Sequence, residues 1–160
     1  MIQKILIGSD NLGYEMKEFL LEKLKYFEIE TIDFGCSSIE DTRYYPEIAA
    51  KLCTQLLSET EKARGVLICG TGLGMTIVAN KFQGIYAAHC HDLYSCERSI
   101  LSNRANIICF GAQIISCDFA WEMLRKWIDL EFVDGRSTPK LQLLEKIEAE
   151  NFEKNLKKND

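Results

Sequence analysis

The sequence predicts a three-layer α/β fold, with helices on both faces of a five-stranded parallel sheet, and three observations predict it. Five short runs rich in apolar and β-branched residues each precede a longer segment whose apolar residues recur at helical spacing. One of these runs, residues 64–70 (RGVLICG), is almost continuously apolar, as a strand buried on both faces requires. Glycines and polar residues collect where the runs end, which is where ligands bind in folds of this class.

Taken in order, residues 4–10 (KILIGSD) read as the first strand. Residues 13–27 follow as a helix whose apolar stripe is Met16, Phe19, Leu20, Leu24 and Phe27. Residues 29–35 (IETIDFG) are the second strand, and 46–59 a helix with Pro46 in its first turn, where a missing N–H costs nothing. The strand at 64–70 leads into a helix over 73–82, and the strand at 84–90 (GIYAAHC) into a helix over 92–104. Residues 105–111 (ANIICFG) are the fifth strand and 117–132 its helix. The strand ends then present Ser9-Asp10-Asn11, Gly35, Cys69-Gly70-Thr71, His89 to Asp92, and Gly111. Residues 1–136 are one α/β domain, and 137–160 a C-terminal extension. From Lys140 onward that extension is helical, with Leu141, Leu144, Ile147 and Phe152 at near-helical spacing. It either packs on its own subunit or crosses to a partner as an oligomer arm.

A chain of 160 residues, 47% hydrophobic and 27% charged, has enough apolar matter for one core and too little charge for disorder. The net charge of −5 argues against nucleic acid, whose phosphates need clustered cations, but not against a small anion in a local cationic pocket. The opening MIQKILIGSD lacks the apolar core of a signal peptide, and no stretch reaches the roughly 18 apolar residues of a membrane span. The seven cysteines (36, 53, 69, 90, 96, 109 and 117) are odd in number and contain no CxxC pair, so no metal site is expected. Most sit among apolar residues as small hydrophobes, which suits a reducing cytoplasm.

The chemistry concentrates in residues 67–75 (LICGTGLGM). Glycines at 70, 72 and 74 follow the third strand as GxGxG, which misses the dinucleotide pattern in spacing and position; Gly74-Met75-Thr76 also lacks the GK[ST] of a phosphate loop. Such glycines still let successive backbone N–H groups converge on one point, an anion nest with Cys69 at its lip. Nearby N–H donors favour a thiolate, which serves as nucleophile or general base. A base beside an oxyanion nest suits removal of a proton α to a carbonyl, because the enediolate oxygen that forms needs those donors. The bland reading of the same residues is an inert strand cysteine with glycines that allow close packing.

In order, GSDNLGYEMK, IDFG, YYPEIA, GVLICGTGLGMTIVANK, NRANIICFGAQ and DGR resemble the ribose-5-phosphate isomerase B family, which includes galactose-6-phosphate isomerase subunits. The resemblance covers residues 4–136. It implies a Rossmann-like subunit of a homodimer or dimer of dimers that interconverts aldose and ketose phosphates through an enediolate, without cofactor or metal. By position it implies Cys69 as the base, Gly70 to Gly74 (with Gly72) as the enediolate loop, and Thr71 and Asp10 in proton handling. It further implies Tyr45 and Asn103 as substrate contacts, Arg136 on the phosphate, and a site completed at the subunit interface.

The departures fall on one half of that site. Asn11 and Ser102 stand where the family has histidines, Gln113 where it has arginine, and Lys140 in place of a second C-terminal arginine. Asn11, Ser102 and Lys140 are kept as substrate-binding candidates, although a hydroxyl at 102 does not titrate near neutrality. The remaining histidines, His89 and His91, read as solvated loop residues or as substrate contacts. Three functions fit: an isomerase of a largely open-chain sugar phosphate, one half of a hetero-oligomeric isomerase, or a sugar-phosphate-binding homologue without turnover.

Overall fold

In a computed structural model of the chain, which describes residues 2–156, five parallel strands form one sheet in the order β2-β1-β3-β5-β4. The strands are β1 (Lys4–Ser9), β2 (Glu30–Asp33), β3 (Ala63–Cys69), β4 (Ala87–His89) and β5 (Ile107–Gly111). The helices are α1 (Tyr14–Leu24), α2 (Tyr45–Leu56), α3 (Leu73–Ala79), α4 (Leu93–Leu101), α5 (Cys117–Asp129) and α6 (Thr138–Leu156). The expected three-layer α/β/α fold is the one observed.

Alternation along the inner strands builds the two cores. Ile5, Ile7, Val66, Ile68, Ile108 and Phe110 face α1, α4 and α5, where they meet Leu20, Ile100, Met123 and Trp127. Leu6, Leu67, Ile107 and Cys109 point the other way, onto Ile48 and Leu52 of α2 and Met75 and Ala79 of α3. β3 is buried along its whole length, as its apolar run requires. Two basic side chains among the described residues are buried beside these cores. Arg64 stacks on Trp127 and donates to the carbonyls of Trp127 and Leu130, both at 2.6 Å. Lys17, 1% exposed, donates to Asp33 over 2.5 Å and to Glu18 over 2.6 Å.

Several boundaries shift from the expected ones, each for a local reason. β4 starts at Ala87 rather than 84, because Gly84 has φ +83° and the Tyr86 N–H is taken by the Asn106 side chain at 2.8 Å. The same asparagine delays β5 to Ile107, its amide donating to the Gly84 carbonyl. α1 ends at Leu24, so Phe27 leaves the core stripe and packs edge-on against Trp121. α4 starts one residue later than expected, at Leu93, because Asp92 is its N-cap and accepts from the Ser95 N–H. The tail helix begins at Thr138, and the expectation for 157–160 lies outside the described residues. α6 touches its own subunit through buried Leu141, through Glu148 on the Gly84 N–H and the Tyr86 hydroxyl, and through an Arg104–Glu145 ion pair. Leu143 and Ile147 stay exposed. No helix among the described residues is long and apolar enough to cross a membrane, and no cluster among them has the groups to hold a metal ion.

Candidate active site

The chain connects β1 outward to β2 and then returns to the other side of β1 for β3, so a crevice opens between the carboxyl ends of β1 and β3. Asp10 and Cys69 lie at its two sides. The register pairs Ser9 with Ile68, and the Asp10 N–H donates to the Ile68 carbonyl at 3.3 Å. Asp10 is 8% exposed and caps a 3₁₀ turn, Asn11–Gly13, by accepting the Gly13 N–H at 3.1 Å. Burial pushes its carboxyl above the ordinary aspartate value; bonds from the Gly13 and Leu12 N–H groups offset only part of that. Asn11, first in the turn, is exposed at the mouth.

Cys69 ends β3 and is 6% exposed. The chain then passes through Gly70, Thr71 and Gly72 before α3 begins. Gly72 has φ +80°, a left-handed conformation that glycine adopts without strain, and in it the Gly72 N–H donates to the Cys69 sulfur at 3.1 Å. Thr71 is exposed, its hydroxyl oxygen accepting the Leu73 N–H at 3.4 Å. The Tyr45 ring lies on Gly74 so closely that a Cβ there would come within 2.7 Å of its Cε2. The structure thus gathers Asp10, Asn11, Tyr45, Cys69 and the loop of Gly70, Thr71, Gly72 and Gly74.

Other thiols lie deep in the two cores. Cys53 and Cys90 are pushed up to about 12, and Cys96 to about 11, all chiefly by burial. Those cysteines are core filler, as the sequence suggested for most of the seven, and all seven are free thiols.

The remaining candidates stand apart. Ser102, Asn103, Arg136 and Lys140 line a cavity of about 470 Å³ with Ser137, Leu141 and Leu144, and none of the Cys69 group lines it. Topology explains the separation. α4 starts after the carboxyl end of β4 and runs back to feed β5, so Ser102 and Asn103 sit toward the opposite end of the sheet from Cys69. Nine helical residues cover about 13 Å.

Two residues outside the expected site set belong to the Cys69 end. The Gln113 N–H donates to the Gly70 carbonyl at 2.9 Å, and its side chain lies over Gly70 with Leu12. The arginine that the resemblance implies at this position was the signal for it. His89 is not a solvated loop residue: it ends β4, and a Cβ at Gly72 would come within 2.8 Å of its Nε2. That nitrogen is buried with no hydrogen-bond partner among the described residues. His91 is exposed, its ring 5.5 Å from that of His89.

Comparison with known proteins identifies the family. The model of the Ribose/Galactose Isomerase family matches residues 5–144. A ribose-5-P isomerase B of Listeria innocua is 46% identical over 92% of this chain and 99% of its own. D-erythrulose-4-phosphate isomerase 2 of Mycolicibacterium smegmatis is 40% identical over 82% of this chain and 88% of its own. The solved ribose-5-phosphate isomerase B of Clostridium thermocellum superposes with a TM-score of 0.87 at 37% identity, over 93% of this chain and 99% of that one. With the family model matching residues 5–144, a matching fold and relatives covered almost in full, the chain belongs to the ribose/galactose isomerase family and is a sugar-phosphate isomerase.

Proposed function

We propose that the chain interconverts a four-carbon aldose and ketose phosphate, with Cys69 as the base. The Cys69 thiolate takes the proton from the carbon α to the carbonyl, and the bonding electrons move onto the carbonyl oxygen to give an enediolate. Backbone N–H groups of Gly70 to Gly74 receive that negative charge. Asp10 and Thr71 pass a proton between the two oxygens, and the Cys69 thiol returns its proton to the neighbouring carbon. Oxidation at one carbon is balanced by reduction at the next, so the step uses no external redox partner. Tyr45, Asn11, Ser102 and Asn103 contact the sugar hydroxyls, and Arg136 and Lys140 hold the phosphate.

The observation that favours four carbons is the pair Asn11 and Ser102, neither of which titrates near neutrality, at the two positions where the resemblance implies histidine. A pentose 5-phosphate closes a five-membered ring through its free 4-hydroxyl and needs acid–base help to open. In a tetrose 4-phosphate that hydroxyl carries the phosphate, so the sugar stays open and needs none. Two of the relatives are named D-erythrulose-4-phosphate isomerases, at 40% and 38% identity.

The separation of the two residue groups supports a site shared between two copies, with Arg136, Lys140, Ser102 and Asn103 of one facing Cys69 of the other. Exposed Leu12, Leu73, Ile77 and Ile114 surround the Cys69 end and give a second copy an apolar surface to cover. The test is a panel of D-erythrose 4-phosphate, D-erythrulose 4-phosphate, ribose 5-phosphate and galactose 6-phosphate, with turnover followed by exchange of the α-proton in deuterated water. The tetrose phosphates should turn over with the highest kcat/KM. A preference for ribose 5-phosphate would reject the four-carbon assignment while leaving the proton transfer intact.

A further inference from the structure

Residues 34–44 join β2 to α2 without a helix or strand of their own, and one ion pair organises them. The Asp41 carboxylate accepts the Arg43 backbone N–H at 3.0 Å, Arg43 Nε at 3.0 and 3.1 Å, Arg43 Nη2 at 2.6 Å and the Ser37 N–H at 3.1 Å. These bonds, the Arg43 side chain first, hold the Asp41 carboxyl far below the usual carboxylate range, so the pair persists across the working pH. The same Nη2 donates to the Gly35 carbonyl at 2.7 Å, which ties the end of the segment back to its start. That start is fixed in turn. The Gly35 N–H donates to Asp33 Oδ1 at 2.7 Å, and the buried Lys17 stem lies where a Cβ at Gly35 would stand.

Two residues after Arg43, Tyr45 opens α2 with its ring on Gly74, in the loop that follows Cys69. We propose that Arg43 is a positioning residue for the isomerisation: its fork on Asp41 and Gly35 fixes the segment that holds the Tyr45 ring over Gly74. Arg43 does not touch the reacting atoms; it acts through Tyr45. A lysine keeps the charge but lacks the planar fork that engages a carboxylate and a carbonyl together.

The proposal rests on the reading of Tyr45 as a substrate contact, and the experiment separates the two. Arg43→Ala and Arg43→Lys are made in the full chain, with Tyr45 and with Tyr45→Ala, and kcat and KM are measured on D-erythrose 4-phosphate. Misplacing a contact residue should cost about tenfold in kcat/KM, carried mainly by KM, for Arg43→Ala. Arg43→Lys should recover part of it, and it carries the same comparison if the alanine variant fails to fold. On the Tyr45→Ala background, where no ring is left to position, the same change should cost little more. An equal loss on both backgrounds overturns the proposal, as does full activity of Arg43→Ala. Hydrogen exchange gives a readout independent of turnover: Arg43→Ala should speed exchange in residues 34–45 and also in 70–76. Faster exchange confined to 34–45 sinks the positioning role even if the substrate assignment stands. A wild-type chain inactive on every phosphate tested would reject the function instead and leave the exchange result to decide.

Discussion

The Gly72 N–H points at the Cys69 sulfur over 3.1 Å, and only the left-handed backbone of Gly72 lets it do so. That bond gives the sulfur a donor before substrate arrives. Cys69→Ala should remove the base and cut exchange of the substrate α-proton by about 10²–10⁴-fold, the usual worth of a positioned general base. The variant should keep its thermal midpoint close to that of the wild type, since the sulfur is small. Exchange at the wild-type rate would take Cys69 out of the mechanism.

Gly72→Ala tests the loop rather than the base. An alanine here pays about 1–2 kcal/mol for a left-handed conformation. Its Cβ would also meet the His89 ring at 2.7 Å. The loop must therefore move, and donors aimed at the enediolate are lost. A fall in kcat of about 10²–10³-fold is expected, the worth of one oxyanion donor. Steady-state kinetics alongside urea unfolding will show whether activity falls further than stability.

Burying the Asp10 carboxyl costs stability at neutral pH, where it would carry a charge. Burial raises its carboxyl above the ordinary value of 3.8, so the folded state binds the proton more tightly than the unfolded one. The sign follows: this group favours folding most at pH below its unfolded value, and the contribution is lost as pH rises through the folded value. Asp10→Asn still accepts the Gly13 N–H and carries no charge to bury. It should raise the thermal midpoint at pH 7, by an amount that shrinks toward pH 3.5, while slowing isomerisation. A lower midpoint at pH 7 contradicts the account.

Lys17 is the buried prop under the β1 and β2 ends. Burial alone would lower its ammonium, and bonds to Asp33 and Glu18 override this to leave it above the ordinary lysine value. Lys17→Ala removes the stem that fills the space beneath Gly35 and should destabilise the chain by about 2–3 kcal/mol in urea unfolding. Lys17→Met, which keeps most of the volume, should lose less. Equal losses would mean that charge, not packing, dominates at this position.

The sequence disclosed what depends on local pattern. Short runs of apolar and β-branched residues marked all five strands, and β3 was the plainest because burial on both faces leaves no polar residue in 65–69. The loop after Cys69 was legible because three glycines in five residues have few uses. What stayed hidden depends on pairs distant in the chain. Asn106 shortens both β4 and β5 by bonding to Tyr86 and Gly84, twenty and twenty-two residues away. No periodicity reports that Tyr45 lies on Gly74 or that His89 lies under Gly72. The parting of Cys69 from Ser102 and Asn103, and from Arg136 and Lys140 in the same cavity, follows from the direction of α4, a topological fact that residue types do not encode.

That parting gives the last prediction. If each site takes Cys69 from one copy and Arg136 from the other, Cys69→Ala and Arg136→Ala chains are each inactive as homodimers. In a mixed dimer both defects fall on the same site, and the second site has neither. Random exchange makes half of the dimers mixed, each with one intact site of two, so activity should return to about a quarter of wild type for a two-fold symmetric pair. Native mass spectrometry confirms that mixed dimers form. A mixture that stays inactive with mixed dimers present would place both residues in one site of one chain, which requires α6 and the Arg136 segment to swing toward Cys69 within a single subunit. Full activity of Arg136→Ala alone would remove that arginine from phosphate binding and leave Lys140 as the cation of the cavity.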